Sequence, residues 1–373
     1  MTNGDNINSH QIRYFDIGVN FTDPMFHGKY HDKHHHPSDL EDVILRAKTF
    51  NVRKMLLTGS SLSESKTIIS LADRYPNYFY TTVGVHPCSV NEINFSVGDE
   101  YLTELKDLAL LGKKLGVVKA FGEFGLDYDR LHYSSKEDQI KYFKLQLDIA
   151  VDVQLPLFLH MRAACDDFVK IIKPYLEVLP KGGVVHSFTG TSEELHKLLE
   201  LGFYIGVNGC SLKTEENLEV LKEIPLEKLM IETDAPWCEI RKTHAGYKYL
   251  TAYPNETYPE LKTNQVAAPE TAPVPTQANK KKEPSKLDPL LPFPLLKKEH
   301  YSTKYNPSTE HLIGELASPL IKSRNEPVHI GQVVEIIAKV KEIPVQQVVD
   351  VAWKNTINLF EITETEEDIF FKY

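Results

Sequence analysis

The chain has 373 residues, 42% of them hydrophobic, and a formal net charge of −10. That length suits one large α/β barrel with an insertion as readily as two domains, and so acidic a chain does not coat nucleic acid by counterion release along a lysine-rich face. Cys88, Cys165, Cys210 and Cys238 form no Cys-x-x-Cys pair, which argues against a disulfide framework or zinc knot and makes a reducing compartment the default.

In chain order, residues 1–12 are polar and lack the apolar core of a signal peptide; they read as a flexible terminus. No later segment is apolar for long enough to span a bilayer, so the expectation is a soluble protein of the cytoplasm, the nucleus or both. Strand-like runs follow at Tyr14 to Val19, Arg53 to Thr58 and Phe79 to Val85. The next three end on a metal-seeking side chain: Val117 to Glu123, Leu155 to His160 and Gly183 to His186. Phe203 to Val207 makes the seventh run, and Leu229 to Asp234, ending on a carboxylate, the eighth.

Helical patterns lie between the runs, opened by Ser38-x-x-Glu41, Ser61-x-x-Glu64, Ser134-x-x-Glu137 and Thr191-x-x-Glu194, each a potential capping box. The alternation predicts a (β/α)8 barrel, and ligands at the carboxyl ends of separate strands fall on the rim where such barrels do their chemistry. The pattern breaks between Cys238 and Ser323, so residues 240–322 read as an insertion after the eighth strand, with a Pro- and Lys-rich stretch at 263–294 expected to be disordered. Lys280-Lys281-Lys282 within it reads as a solvated run. The pattern resumes at Pro327 with two helices, carrying Ile330, Val333, Val334, Ile337 and then Val348, Val349, Ala352, Leu359, expected to complete the outer ring.

Glu123, His160, His186 and Asp234 are the candidate metal ligands. Alone, each has an ordinary reading as a core histidine or a helix cap. Together, at the ends of four apolar runs, they are costly to bury unless a cation compensates. Carboxylate and imidazole suit zinc, manganese or magnesium, and a glutamate between other ligands can bridge two ions that clamp a displacement at phosphorus. Asp234 and Glu123 are the candidate catalytic residues, with Asp234 placed either to ligate or to take a proton from the attacking water. Arg162 as a phosphate fork, Lys213 as a point charge and His86 at the end of the third run are the candidate substrate contacts. Glu326, before Pro327, reads as a helix cap.

The motifs Phe15-Asp16-Ile17-Gly18-Val19-Asn20, Val83-Gly84-Val85-His86-Pro87, Phe121-Gly122-Glu123-Phe124-Gly125-Leu126-Asp127, Leu159-His160-Met161-Arg162, His186-Ser187-Phe188-Thr189-Gly190, Ile231-Glu232-Thr233-Asp234-Ala235-Pro236 and Arg324-Asn325-Glu326-Pro327 closely resemble the TatD family of metal-dependent deoxyribonucleases, particularly its eukaryotic members. The resemblance implies a barrel of the metal-dependent hydrolase superfamily and hydrolysis of DNA, single-stranded or at duplex ends, often 3′ to 5′. It also implies Glu123, His160, His186 and Asp234 as ligands to a divalent metal. Two ions are expected, magnesium foremost, with manganese and zinc as alternatives. Two departures stand out. Where many relatives carry Asp-x-His-x-His, this chain has Asp16, Gly18 and Asn20, which implies one weaker metal position; and Ala163 follows Arg162 where relatives have a polar residue. A C–N hydrolase on the same barrel and a non-catalytic scaffold are the competing readings.

Overall fold

Strands buried on both faces need helices on their outer side and packed side chains on their inner side, and the eight apolar runs meet both demands. The computed structural model describes residues 12–95, 98–179, 181–260, 288–301, 319–365 and 368. Eight parallel strands form one sheet in sequential order: β1 (Tyr14–Val19), β2 (Val52–Leu57), β3 (Phe79–Val83), β4 (Val118–Asp127), β5 (Leu157–Arg162), β6 (Gly183–Val185), β7 (Tyr204–Val207) and β8 (Leu229–Ile231). The ends meet where Val19 bridges Ala235 and the Asn20 amide donates to the Ala235 carbonyl at 2.8 Å. The expected barrel is thus the observed fold.

Among the described residues the helices are α1 (Leu40–Thr49), α2 (Leu62–Asp73), α3 (Asn91–Phe95), α4 (Gly98–Leu115), α5 (Lys136–Val153), α6 (Cys165–Ile172), α7 (Ser192–Glu200), α8 (Glu215–Glu223), α9 (Ile330–Val340) and α10 (Val345–Leu359). Of the four expected capping boxes, Thr191–Glu194 forms in full. Ser61 accepts from the Glu64 amide, but the Glu64 carboxylate reaches the neighbouring Ser60 amide instead. The other two shift by one residue. Asp39 takes the N-cap place of α1 while Ser38 donates to the Phe26 carbonyl, and Ser135 caps α5 because the Ser134 hydroxyl is buried.

Side chains alternate across each strand, so one parity points to the barrel axis. Phe15 and Ile17 on β1, Leu56 on β2, Tyr80 on β3, Ala120 on β4, Phe158 on β5, Val184 on β6 and Met230 on β8 form one buried apolar cluster. Trp353 and Leu359 of α10 belong to it too, and Asn355 donates to the Leu229 carbonyl at the start of β8 at 2.8 Å. The last helix therefore plugs the floor as well as cladding the wall, which its outer-ring reading did not include. Two residues on from Phe158, Val184 and Met230 stand His160, His186 and Glu232, which places a polar layer directly above an apolar one.

The insertion is anchored at both ends. Tyr258, Leu291, Phe293 and Leu320 pack with Phe50 and Val328, and Leu295–Leu296 pairs in parallel with Leu320–Ile321. Residues 288–294, part of the stretch expected to be disordered, thus include buried Leu291 and Phe293, whereas 261–287, with Lys280 to Lys282, and the terminus 1–11 lie outside the described residues. Glu326 heads the turn at Pro327, but its carboxylate is bound elsewhere. Arg46 of α1 donates to it at 2.8 and 3.1 Å, and Arg324 donates to it at 2.8 Å while forking Asp39 at 2.7 and 2.6 Å.

All four of these charged side chains are buried. Removing one partner of such a set strands a charge without water, at a cost of roughly 3–5 kcal/mol. Arg324→Ala should lower stability by about that amount in urea denaturation, and a loss below about 1 kcal/mol would mean the pairs are solvated in practice.

Candidate active site

β4 does not keep its alternation. Its pairing with β5 shifts register between Gly122 and Phe124, so Glu123 has no partner residue across the ladder and turns toward the axis. Gly122 and Gly125 make this possible. Both have left-handed φ, 144° and 150°, and a Cβ would stand 2.1 Å from the Phe158 carbonyl oxygen in the first and 1.9 Å from that of His160 in the second.

Around Glu123 Oε1 stand three imidazoles: His186 Nε2 at 2.6 Å, His160 Nδ1 at 2.9 Å and His86 Nε2 at 3.4 Å. Burial alone would raise the pKa of Glu123, but the charge of His186 and the hydrogen bonds of His160 and His186 outweigh it and hold this carboxyl well below its usual range. Burial likewise opposes charge on His186 and His160. Glu123 and Glu232 nevertheless drive His186 well above the ordinary histidine value, and Asp127 with Glu123 raises His160.

The rings differ in what their second nitrogen meets, and that separates their roles. His160 Nε2 lies 3.1 Å from Asp127 Oδ2, and His186 Nδ1 lies 3.5 Å from Glu232 Oε2. Each ring can keep one N–H on a carboxylate and offer the other nitrogen's lone pair to a cation, the usual habit of ligating histidines. His86 is opposite in sense. Its Nδ1 accepts the Cys88 amide at 3.0 Å, so the neutral ring carries its proton on Nε2, where it is a donor and not a ligand. Burial pushes its pKa down to about 3, against the pull of Glu123, so the ring is neutral at pH 7. This favours the expected substrate contact over ligation, although His86, Glu123 and His160 offer ligand atoms within 4.8 Å of one another.

Asp234 stands apart from that cluster. Its Oδ1 accepts from Asn20 at 2.9 Å and its Oδ2 from the Cys238 thiol at 3.3 Å. Burial, with help from Glu232 and Glu123 and against His186, pushes its carboxyl up to about 6. Arg162 is half-buried, with its guanidinium 3.6 Å from Asp127. Lys213 is exposed just beyond β7 and has no hydrogen bond or ion pair to the cluster among the described residues.

Sequence reading missed three carboxylates. Asp127 backs His160 from the far end of β4, where the strand runs four residues past its expected end. It also holds Arg162, so a neighbouring strand supplies the support that Ala163 does not. Glu232, fully buried, accepts from the Ser187 amide at 2.5 Å and from Asn208 at 3.1 Å. Its inward parity two residues after Met230 was the available signal. Its Oε2 reaches toward β1, where a Cβ on Gly18 would come within 2.7 Å of it. Asp16 accepts from the Thr233 amide and hydroxyl and the Gly18 amide, tying β1 to the end of β8.

The residues fit a divalent cation. Buried His186 Nδ1 and Glu232 Oε2 have only each other, at a long 3.5 Å, and no better-formed hydrogen bond among the described residues. His160 and His186 converge on one oxygen of Glu123, a donor set of nitrogen and oxygen suited to zinc, manganese or magnesium. Backbone strain gathers at the same rim: Ala163, Ser187, Asp234 and Cys238 all have φ between 50° and 55°, at a cost on the order of 1 kcal/mol each.

The family model for TatD-related DNases matches residues 15–286. The chain is 45% identical to the deoxyribonuclease Tat-D of Schizosaccharomyces pombe over 93% of this chain and 96% of that one. It is 38% identical to a 3′-5′ ssDNA/RNA exonuclease TatD of Citrobacter koseri over 60% of this chain and 79% of that one. A solved amidohydrolase from Saccharomyces cerevisiae, 36% identical, superposes with a TM-score of 0.76 over 94% of this chain and all of that one.

Asp16 supplies a test of the rim's electrostatics. Burial, against the Thr233 and Gly18 hydrogen bonds, raises its pKa from 3.8 to about 8. The folded chain then keeps a proton that the unfolded chain has released, so this contribution to stability is full below the lower value and is lost as pH rises through the upper one. Urea midpoints should fall between pH 5 and 8 and fall less steeply in Asp16→Asn; equal slopes would show that Asp16 is ionised throughout.

Proposed function

The chain belongs to the TatD-related DNase family, and on that footing we propose that it is a divalent-metal-dependent deoxyribonuclease that removes nucleotides from DNA 3′ ends. The observation that carries this reading is the convergence of His160 and His186 on Glu123, with Asp127 and Glu232 behind the two rings. The name of the Citrobacter koseri relative supports a single-stranded 3′ end as the substrate. A place of work in the cytoplasm or nucleus goes with DNA as that substrate. No helix among the described residues is long and apolar enough to cross a membrane.

In this reading Glu123, His160, His186 and Asp234 hold two divalent ions, with magnesium as the first choice. When bound, such ions supply Lewis acidity at the phosphoryl oxygens and lower the pKa of water. The residues of the chain do the rest. His86, neutral and protonated on Nε2, donates to a non-bridging phosphate oxygen, and Arg162 pairs a second from the Asp127 side. Asp234, held by Asn20 and the Cys238 thiol, faces the same rim and accepts the proton released by the attacking water. Lys213 adds positive potential at the edge. With Gly18 in place of a histidine, β1 gives the second ion fewer nitrogen donors, so one position should be weaker.

End-labelled single- and double-stranded oligonucleotides with magnesium, manganese and zinc titrated separately test this directly. Cleavage should ladder from the 3′ end, stop with chelator and drop by about 10²- to 10⁴-fold in kcat for Asp234→Asn. Glu123→Ala should also lose calorimetric manganese binding, a readout independent of turnover. Undiminished cleavage by Glu123→Ala would refute the proposal.

A further inference from the structure

Beside the cluster lies a surface that the chemistry above does not use. Two adjoining grooves, of about 730 and 810 Å³, run between the loop after β1, the segment after β8 and the two ends of the insertion. They share Arg241, Lys297 and Lys322 in their walls. Trp237 stands in the first groove, 54% exposed, whereas the other tryptophan of the chain, Trp353, is 3% exposed in the barrel floor.

A half-exposed indole in the wall of a groove offers a flat apolar face on which another ring can stack. The support here is rigid. The Trp237 amide donates to the Asp234 carbonyl at 2.9 Å, and the Pro236 carbonyl accepts from the Asn325 amide at 3.0 Å. The backbone that carries the ring is therefore fixed three residues from a proposed ligand.

Across the two grooves six lysines and arginines face five acids, a slight positive excess in an acidic chain. Those acids are partly spoken for: Asp32 pairs with Lys29 at 3.3 Å and Glu239 with Arg241 at 3.5 Å. Lys298 lies 4.6 Å over the Tyr30 ring. Lys297 and Lys322 have no ion pair among the described residues. A flat aromatic face beside unpaired lysines suits a polymer of alternating bases and phosphates, and it suits neither an acidic peptide, which lacks stacking planes, nor an apolar partner.

Resting on the nuclease reading, we propose that this groove is the binding track for the single strand leading away from the scissile phosphate, with a base stacked on Trp237 and phosphates on Lys297 and Lys322. The insertion, which supplies Lys297 and Lys322, would then serve as one wall of a substrate channel. Sequence bases are tolerated alike, since stacking and phosphate charge carry no base code.

The test uses the full-length protein and oligo(dT) of 20 nucleotides in EDTA, so that binding is read without cleavage. Trp237 fluorescence should quench on titration, and Trp237→Ala should abolish the quench and weaken affinity, measured by anisotropy, about five-fold or more. Lys297→Glu with Lys322→Glu should weaken binding further and reduce the salt dependence by about two counterions. In turnover with magnesium, the loss should fall on KM rather than kcat. Absence of quenching, or unchanged affinity and salt slope in the lysine double variant, overturns the track whether or not the protein cleaves DNA. Loss of cleavage in the unaltered protein, with quenching intact, would count against the nuclease reading alone.

Discussion

The structure turns on one carboxylate oxygen that cannot be left alone. Glu123 Oε1 is buried among His186, His160 and His86, and neither the acid nor the imidazoles would tolerate loss of water without opposite charge nearby. The barrel answers by building outward from that point. Asp127 sits behind His160, Glu232 behind His186, and the Cys88 amide fixes the tautomer of His86. Each support comes from a different loop or strand, so orientation is set by the closed sheet and not by any one segment. A divalent ion would relieve the same frustration by replacing the protons that now bridge these groups.

The fold was legible because parallel strands buried on both faces leave a strong apolar signal, and all eight runs lie within a few residues of the observed strands. The ligand candidates were legible for the same reason: a polar residue ending an apolar run is conspicuous. What escaped were features that need a third dimension. Asp127 was hidden because the register shift between Gly122 and Phe124 lets β4 continue past Glu123, and no local pattern announces a bulge. Glu232 was overlooked beside Asp234, although its parity points it to the axis. The donor role of His86 follows from one amide hydrogen bond that spacing cannot show. Caps failed by one residue where the first serine was drawn into burial, as at Ser134.

The insertion illustrates a different limit. Composition marked it as irregular, yet its ends are fastened by tertiary contacts: Leu291, Phe293 and Leu320 against Phe50, and Arg324 across Asp39 and Glu326. A chain leaving and rejoining the barrel at two such anchors can vary greatly in between, because extra loop length adds closure entropy only slowly. The same anchors hold the lysines near Trp237, so packing far from the reacting phosphate shapes the approach to it.

Gly18 and Glu232 carry a consequence for how such sites can change. Glu232 Oε2 occupies the volume that a side chain at position 18 would need, while the Ser187 amide and Asn208 hold the other oxygen, Oε1. A histidine introduced at 18 would press on Oε2, and the carboxylate tip would have to swing aside to admit it. The two positions are therefore coupled across β1 and the end of β8: what can stand at 18 depends on where the tip of Glu232 lies.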